Sequence, residues 1–265
     1  TGGAPVNDAL IAGQIDFAAG GVGPLITIWA KTKGSLDVRC IGAINSMPLY
    51  LNTINPNVKT IKDFTDQDRI ALPSVKVSIQ AVTLMMAAEK AFGQGKHGEL
   101  DRLTVSMSHP DGMAAMLSGK SEITAHFSSA PFQYQQLQDA RVKRVLSSYE
   151  VLGGPATFNL IWGKAEFAAK NPKLFAAVFS AMEEAMEFIN ANQRAAAEMW
   201  VNAEKSKLAV DFAEKLIKDP ENKWTTTPEK VMVYADFMHR IGAIKEKPAI
   251  WKDLCHAAVH GKQGS

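Results

Sequence analysis

The chain of 265 residues contains only two cysteines, Cys40 and Cys255, and they stand far apart. Two distant thiols cannot form the paired cysteines of a zinc site, and they leave the redox compartment open; buried, unpaired thiols are the simpler expectation. No apolar run reaches the ~18 residues that a membrane span needs. The 29 basic and 27 acidic residues are spread along the chain without a cluster, which argues against nucleic acid as a partner.

The usual enzymatic signatures are missing as well. The sequence has no GxSxG nucleophile elbow, no GxxxxGK[ST] phosphate loop, no HExxH pair and no CxxC pair. Nucleophilic hydrolysis, nucleotide hydrolysis and zinc chemistry therefore lack their characteristic residue sets. We predict no catalytic residues, no metal site and no cofactor.

Strands and helices alternate over the first part of the chain. Gly13 closes a helix, QIDFAA reads as a buried strand, and GGVGP leads into a helix with Pro24 near its start. Ser74 and Ser78 are candidate caps for a later helix, and Asp111 is the predicted cap of GMAAMLS. From Asn171 onward helix follows helix. With 46% hydrophobic residues, this pattern predicts an α/β protein with a C-terminal helical block.

A second run, AMLSGKSEITAHFSSAP, repeats the order of the first, ALIAGQIDFAAGGVGPLI, when Gly119 is set under Gly13. Each reads helix, glycine cap, strand, turn, helix. Two such units predict two lobes, each with a strand-to-helix turn at the carboxyl end of its sheet. Helix N-termini at that edge offer free N–H groups, so a cleft between the lobes could hold an oxyanion with neutral donors. Hydroxyl groups at corresponding places come from Ser74, Ser78, Ser128 and Ser129.

Side-chain chemistry near the second turn has two readings. His126 either faces the ligand, as a donor to a carboxylate, a sulfonate or a pyrimidine nitrogen, or is satisfied at a strand end. His109 is expected beside the cap of its helix. Lys76 either contributes positive charge or lies in solvent. Phe127 and Phe132 either stack on a planar ligand or pack in the core.

The succession of short motifs resembles a known family. ALIAGQIDFAAGG, MPLYLNT, IKDFTDQDRIALPSVKVSIQAVTLMMAAEKAFG, AAMLSGKSEITAHFSSAPFQ and FAAKNPKLFAAVFSAMEEA follow one another over essentially the whole chain. In order and spacing they are similar to solute-binding proteins of ABC importers for nitrate, taurine and alkanesulfonates. This group is often called NMT1/THI5-like and includes the SsuA-type proteins.

The resemblance implies a two-lobed type II periplasmic binding protein fold. Lobe one would hold residues 1–52 and 161–265, and lobe two residues 53–160. Family members usually have a strand, a helix and a strand ahead of the glycines that correspond to Gly2 and Gly3, so we expect lobe one to begin part-way through in this sequence. The ligand contacts carried over by resemblance are Gly21, Val22, Gly23, Pro24, Ser46, Met47, Val77, Ser78, His126, Phe127, Ser128, Ser129 and Thr157.

The function implied by the resemblance is capture of a small ligand in the periplasm and its delivery to the membrane permease of an ABC importer. The ligand would be a small anion or a planar heterocycle, such as a sulfonate, nitrate, a carboxylate or a pyrimidine. The alternative is an enzyme on the same fold, such as the pyrimidine synthase of thiamine biosynthesis. That branch uses a histidine and a cysteine-rich iron-binding motif, and the two distant cysteines here argue against it.

Overall fold

Two β-sheets organise the chain. The computed structural model describes residues 3–265, so Thr1 and Gly2, assigned above to lobe one, lie outside the described residues. The first sheet has the order β1-β8-β2, with both pairs antiparallel. The second has the order β5-β4-β6-β3-β7, in which β4 runs parallel to both of its neighbours. The strands are β1 (Phe17–Gly21), β2 (Val38–Ala43), β3 (Tyr50–Thr53), β4 (Ile70–Leu72), β5 (Thr104–Ser106), β6 (Ala125–Ser128), β7 (Lys143–Ser147) and β8 (Asn159–Lys164).

Helices cover the sheets and form the C-terminal part of the chain, which confirms the predicted α/β class with its helical block. Five of them follow β8, where the sequence predicts helix after helix. The helices are α1 (Gly3–Ile11), α2 (Val22–Thr32), α3 (Ile79–Phe92), α4 (His109–Ser118), α5 (Phe132–Gln136), α6 (Ser148–Leu152), α7 (Ala165–Lys170), α8 (Pro172–Ala191), α9 (Gln193–Ala203), α10 (Val210–Lys218) and α11 (Val231–Arg240). None of these described helices is long and apolar enough to span a membrane.

The chain passes between the two sheets twice. It leaves the first sheet after Ala43 and enters the second at Tyr50, and it returns between Ser147 and Asn159. The first crossing, residues 44–49, thus lies just before residue 52, the predicted end of lobe one. Hereafter lobe one means the part built on β1, β8 and β2, and lobe two the part built on the other five strands.

The main hydrophobic core extends through both lobes. Helix α11 packs on α2 of lobe one and on α3 of lobe two, and the hydroxyl groups of Tyr234 and Thr83 lie 3.1 Å apart in that contact. In lobe one, the backbone of Cys40 on β2 forms an isolated parallel β-bridge with the backbone of Cys255. The two side chains are buried, free thiols. Burial, together with the hydrogen bond to Cys255, raises the pKa of the Cys40 thiol.

One predicted helix cap is confirmed by the structure and one is wrong. Ser78 caps α3 as expected, because its Oγ accepts the N–H of Ala81. The cap of α4 is Ser108, not Asp111, since the helix already begins at His109 with a proline in its first turn. A proline is tolerated there because the first N–H groups have no partner within the helix.

Candidate functional site

A cavity of about 510 Å³ lies between the two lobes. Among the described residues, no Asp, Glu, Lys or Arg side chain lines it, and most of its polar groups are serine hydroxyls and backbone. Lobe one contributes the end of β1 and the start of β8, and lobe two contributes the carboxyl ends of β4, β5 and β6. The lining residues are Pro5, Ala19, Gly20, Gly21, Pro24, Pro73, Ser74, Ser78, Ile79, Gln80, Ser106, Met107, Ser108, His109, Ser129, Ala130, Phe158 and Asn159.

Three helices begin at this cavity. Helix α2 follows β1 directly, and its N-cap Gly21 has no side chain to accept the first N–H groups. Helices α3 and α4 begin at Ser78 and Ser108, whose Oγ atoms accept N–H groups at 3.2 Å and 3.3 Å. The positive ends of the three helix dipoles therefore point at one space, and this arrangement favours an anion.

Close packing between the lobes explains the bare turn after β1. A Cβ on Gly21 would stand 2.7 Å from Cγ2 of Ile79, and one on Gly23 would stand 3.2 Å from the carbonyl oxygen of Val77. Both obstructing residues belong to lobe two, at the start of α3. The backbone of Gly21 has an ordinary φ of −73°, so the glycine is required by contact with the opposite lobe and not by backbone conformation.

A pair of histidines stands at the wall that lobe two contributes. His109 lines the cavity, and its Nδ1 lies 3.0 Å from Nε2 of His126 behind it. His126 is fully buried, and its Nδ1 lies 2.6 Å from Nε2 of Gln136. A Cβ on Gly112 of α4 would stand 3.0 Å from Nε2 of His126, so this glycine makes room for the inner ring.

The hydrogen-bond partners fix the proton positions in this pair. Oε1 of Gln136 accepts Nδ2 of Asn52 at 2.9 Å, so Nε2 of Gln136 is the donor to Nδ1 of His126. His126 then carries its proton on Nε2 and donates to Nδ1 of His109. Consequently His109 carries its proton on Nε2 and acts as a donor. Gln80, 3.4 Å from that nitrogen, accepts the proton only if its amide oxygen turns toward the ring.

Burial keeps both histidines neutral near neutral pH. Removal from water, together with the neighbouring His109, lowers the pKa of His126 to about 3. The same loss of hydration lowers the pKa of His109 to about 4. A neutral imidazole with a fixed tautomer is a directional donor without a full charge. His109 therefore suits an oxyanion that is also held by serines and helix N-termini.

The predicted ligand contacts fall into three places. At the cavity lie Gly21, Pro24, Ser78 and Ser129. Three more lie beside the cavity, where the lobes touch: Val22 and Gly23 in the first turn of α2, and Val77 just ahead of α3. Buried behind the wall or at the crossings lie Ser46, His126, Phe127, Ser128 and Thr157, while Met47 lines a neighbouring cavity.

Of the two readings given for His126, the structure shows the second, because the ring sits on β6 between β3 and β4 and has partners at both nitrogens. His109 lies directly after the helix cap Ser108, as expected, and it also stands at the cavity wall. The stretch SHPD contains the signal that we missed, because a serine three residues before an aspartate, with a proline between them, is typical of a helix start. Phe132 packs against the His109 ring, with centroids 5.7 Å apart, and Lys76 is exposed.

Ser46 and Thr157 join the two crossing segments to the chain just ahead of α11. The Oγ of Ser46 donates to Glu229 at 2.7 Å, and Oγ1 of Thr157 accepts the Glu229 N–H at 2.7 Å. The backbone of Ser46 also pairs with Lys223 and Thr157. This network, which we call the hinge network (Ser46, Thr157, Lys223, Glu229), fixes how the lobes are connected.

Comparison with known proteins gives matches in structure only. No family model and no curated protein matches the sequence. The alkanesulfonate-binding protein SsuA from Xanthomonas axonopodis pv. citri, bound to MOPS, has a TM-score of 0.72 at 16% identity, covering 92% of this chain and 82% of its own. The periplasmic aliphatic sulphonate binding protein SsuA from Escherichia coli gives 0.68 at 17%, with coverages of 99% and 82%.

A third similar structure is the zinc-bound ligand-binding component of an ABC-type import system from Staphylococcus aureus. It gives a TM-score of 0.70 at 14% identity, covering 96% of this chain and 83% of that one. The fold of this chain is therefore that of the periplasmic solute-binding proteins, as the resemblance implied.

Proposed function

We propose that this protein is the solute-binding component of an ABC importer and that it captures a small oxyanion between its lobes. One observation carries the proposal: three helix N-termini and five serines (Ser74, Ser78, Ser106, Ser108 and Ser129) surround one cavity whose described lining has no charged side chain. The N–H groups of helix N-termini bind an anion without a counter-ion. They also favour a singly charged ligand over one that needs full neutralisation.

We propose a sulfonate as the preferred head group. Its three oxygens can each accept from a different donor set, namely the start of α2, the start of α3, and α4 with His109. The two SsuA structures, one with the sulfonate buffer MOPS and one described as binding aliphatic sulphonates, support this choice. A carboxylate offers only two oxygens and would leave one donor set unpaired.

Capture would proceed by closure of the lobes. The N-terminal turns of α2 and α3 belong to different lobes and touch through Gly21 and Ile79. A ligand that bonds to both helix starts binds the closed arrangement more tightly than the open one, and so shifts the population toward closure. The closed surface would then be the one presented to a membrane permease, with the periplasm as the place of capture.

Calorimetric titration with methanesulfonate and with dimethyl sulfone, its neutral counterpart of similar shape, tests the oxyanion site. We expect methanesulfonate to bind one to one and dimethyl sulfone to bind at least about tenfold more weakly, because only the anion gains from the helix N-termini. Equal affinity for the two compounds would contradict the proposal.

Removal of one cavity hydroxyl tests the same site from the protein side. Ser106→Ala should weaken methanesulfonate binding about tenfold, because the Ser106 Oγ accepts the N–H of Val75 and its O–H can turn to the ligand. Ser118→Ala, at the exposed end of α4, is the matched control and should leave the affinity unchanged. Unchanged affinity in Ser106→Ala would place the ligand elsewhere.

A further inference from the structure

A second cavity, of about 340 Å³, adjoins the cleft at the crossing segments. Ala130, Phe158 and Asn159 line both spaces, so the two share a wall. The remaining lining comes mainly from the C-terminal helical block. These residues are Asn45, Met47, Ile189, Ala196, Trp200, Leu216, Ile217, Asn222 and Trp224. We call this space the tail pocket.

The walls of the tail pocket are apolar and aromatic, in contrast to the serine-lined cleft. Trp200 and Trp224 provide ring surfaces, and Ile189, Leu216 and Ile217 provide aliphatic ones. A cavity of about 150 Å³ is already enough to hold a benzene molecule in a protein core. The tail pocket therefore has room for a substituted aromatic ring.

One buried polar atom in the tail pocket lacks a partner. Asn222 is only 7% exposed, and its Nδ2 donates to the carbonyl of Leu216 at 2.8 Å. Its Oδ1 has no hydrogen-bond partner among the described residues. Buried acceptors are nearly always paired, since an unpaired one costs about 1–3 kcal/mol. This oxygen thus points to a ligand that brings a hydroxyl or N–H group.

The tail pocket also continues outward on its far side. Ile189 and Ala196 line both the tail pocket and a groove between α8 and α9. Phe188 and Met199 line that groove and are 37% and 61% exposed. The cleft, the tail pocket and the groove therefore follow one another, from a polar anion site to an apolar surface.

We infer that the ligand is an amphiphile whose anionic head occupies the cleft and whose aromatic tail, bearing one hydroxyl or N–H group, occupies the tail pocket beside Asn222. The inference rests on the proposed function, because it takes the cleft as the head site. Small sulfonates without a tail then fill only the cleft. Tailed sulfonates gain affinity from apolar burial against Trp200 and Trp224.

A series of ligands with one head group tests the tail pocket. Calorimetry would compare methanesulfonate, phenylpropanesulfonate and its para-hydroxyphenyl analogue, with propylphenol as the probe without a head. We expect about a tenfold gain in affinity from the phenyl group and a further gain from the hydroxyl group. Ala196→Leu, which adds volume at the pocket wall, should abolish most of the phenyl gain and leave methanesulfonate unaffected. Ala203→Leu, exposed on the same helix, is the control.

A fluorescence measurement on the unaltered protein tests the tail pocket even if Ala196→Leu does not fold. A para-bromo analogue of phenylpropanesulfonate should quench tryptophan fluorescence by contact with Trp200 and Trp224, whereas methanesulfonate should not. Methanesulfonate binding without a phenyl gain, or without quenching by the bromo analogue, would overturn the tail pocket alone. Failure of methanesulfonate to bind, with phenylpropanesulfonate no tighter than propylphenol, would overturn the oxyanion site and the amphiphile together.

Discussion

At the scale of single residues, the two histidines show how a buried chain of hydrogen bonds sets one donor at the cavity. Asn52 orients Gln136, Gln136 orients His126, and His126 orients His109. Each hydrogen bond fixes which nitrogen of the next group carries the proton, and none of the groups needs to be charged. The first member of the chain lies on β3, the strand that follows the first crossing, so the donor at the cavity is connected to the segment that joins the lobes.

The neutral state of these histidines predicts how stability depends on pH. In the unfolded chain each imidazole binds a proton as the pH falls below about 6.5, whereas the folded pKa values are about 3 for His126 and about 4 for His109. The unfolded state thus takes up protons first. The stabilising contribution is complete above about pH 6.5 and is lost as the pH falls toward 4 and then 3, at up to about 1.4 kcal/mol per pH unit for each ring.

Urea unfolding between about pH 7 and pH 5 measures this slope. We expect His126→Gln to reduce it, by about 2 kcal/mol over the window at most, because the titrating ring is gone. Part of the slope should persist, since burial also lowers the pKa of His256. A His126→Gln slope equal to that of the unaltered protein would show that His126 is protonated in the fold.

At the scale of elements, the helix ends closed by glycine could be predicted from the sequence, but the depth of each strand in its sheet could not. Gly13 and Gly119 both end helices with positive φ values of 74° and 61°, as the repeat indicates. The strands that follow them differ: β1 is an edge strand of a three-stranded sheet, and β6 is an interior strand. His126, Phe127 and Ser128 are fully buried for that reason.

The location of strands in a sheet depends on pairing between distant segments, and local pattern does not report it. The same limit applies to Ser46 and Thr157. Their partner Glu229 lies far along the chain, and no local spacing predicts that contact. The close approach of Ile79 to the glycine turn after β1 likewise becomes visible only in the structure.

The hinge network gives a prediction at this scale. Thr157→Val removes the buried hydroxyl that accepts the Glu229 N–H in a half-buried bond and should lower the free energy of unfolding by about 1–3 kcal/mol. Thr27→Val removes a hydroxyl that bonds within α2 at a half-buried position, so its cost should stay below about 1 kcal/mol. Chemical denaturation of both variants measures the difference. Equal costs would mean that the Thr157 bond contributes nothing to the joint between the lobes.

At the scale of the whole molecule, two chemically different spaces meet at the crossing segments. The cleft offers hydroxyls, N–H groups and helix N-termini, and the tail pocket offers tryptophan and aliphatic walls. Phe158 and Asn159, at the start of the returning strand, border both. A ligand that spans them would contact both lobes, the crossings and the helical block at once, and its binding would be coupled to closure.

Closure is most directly measured as a distance between the lobes. Spin labels on Lys173→Cys in α8 and Lys120→Cys after α4 would occupy exposed positions on lobe one and lobe two, while the two native thiols stay buried. Pulsed electron–electron double resonance should show a shorter and narrower distance distribution when methanesulfonate is added, and the fraction of this population should rise with occupancy. Dimethyl sulfone should leave the distribution unchanged. One-to-one binding of methanesulfonate with an unaltered distribution would contradict capture by closure of the lobes.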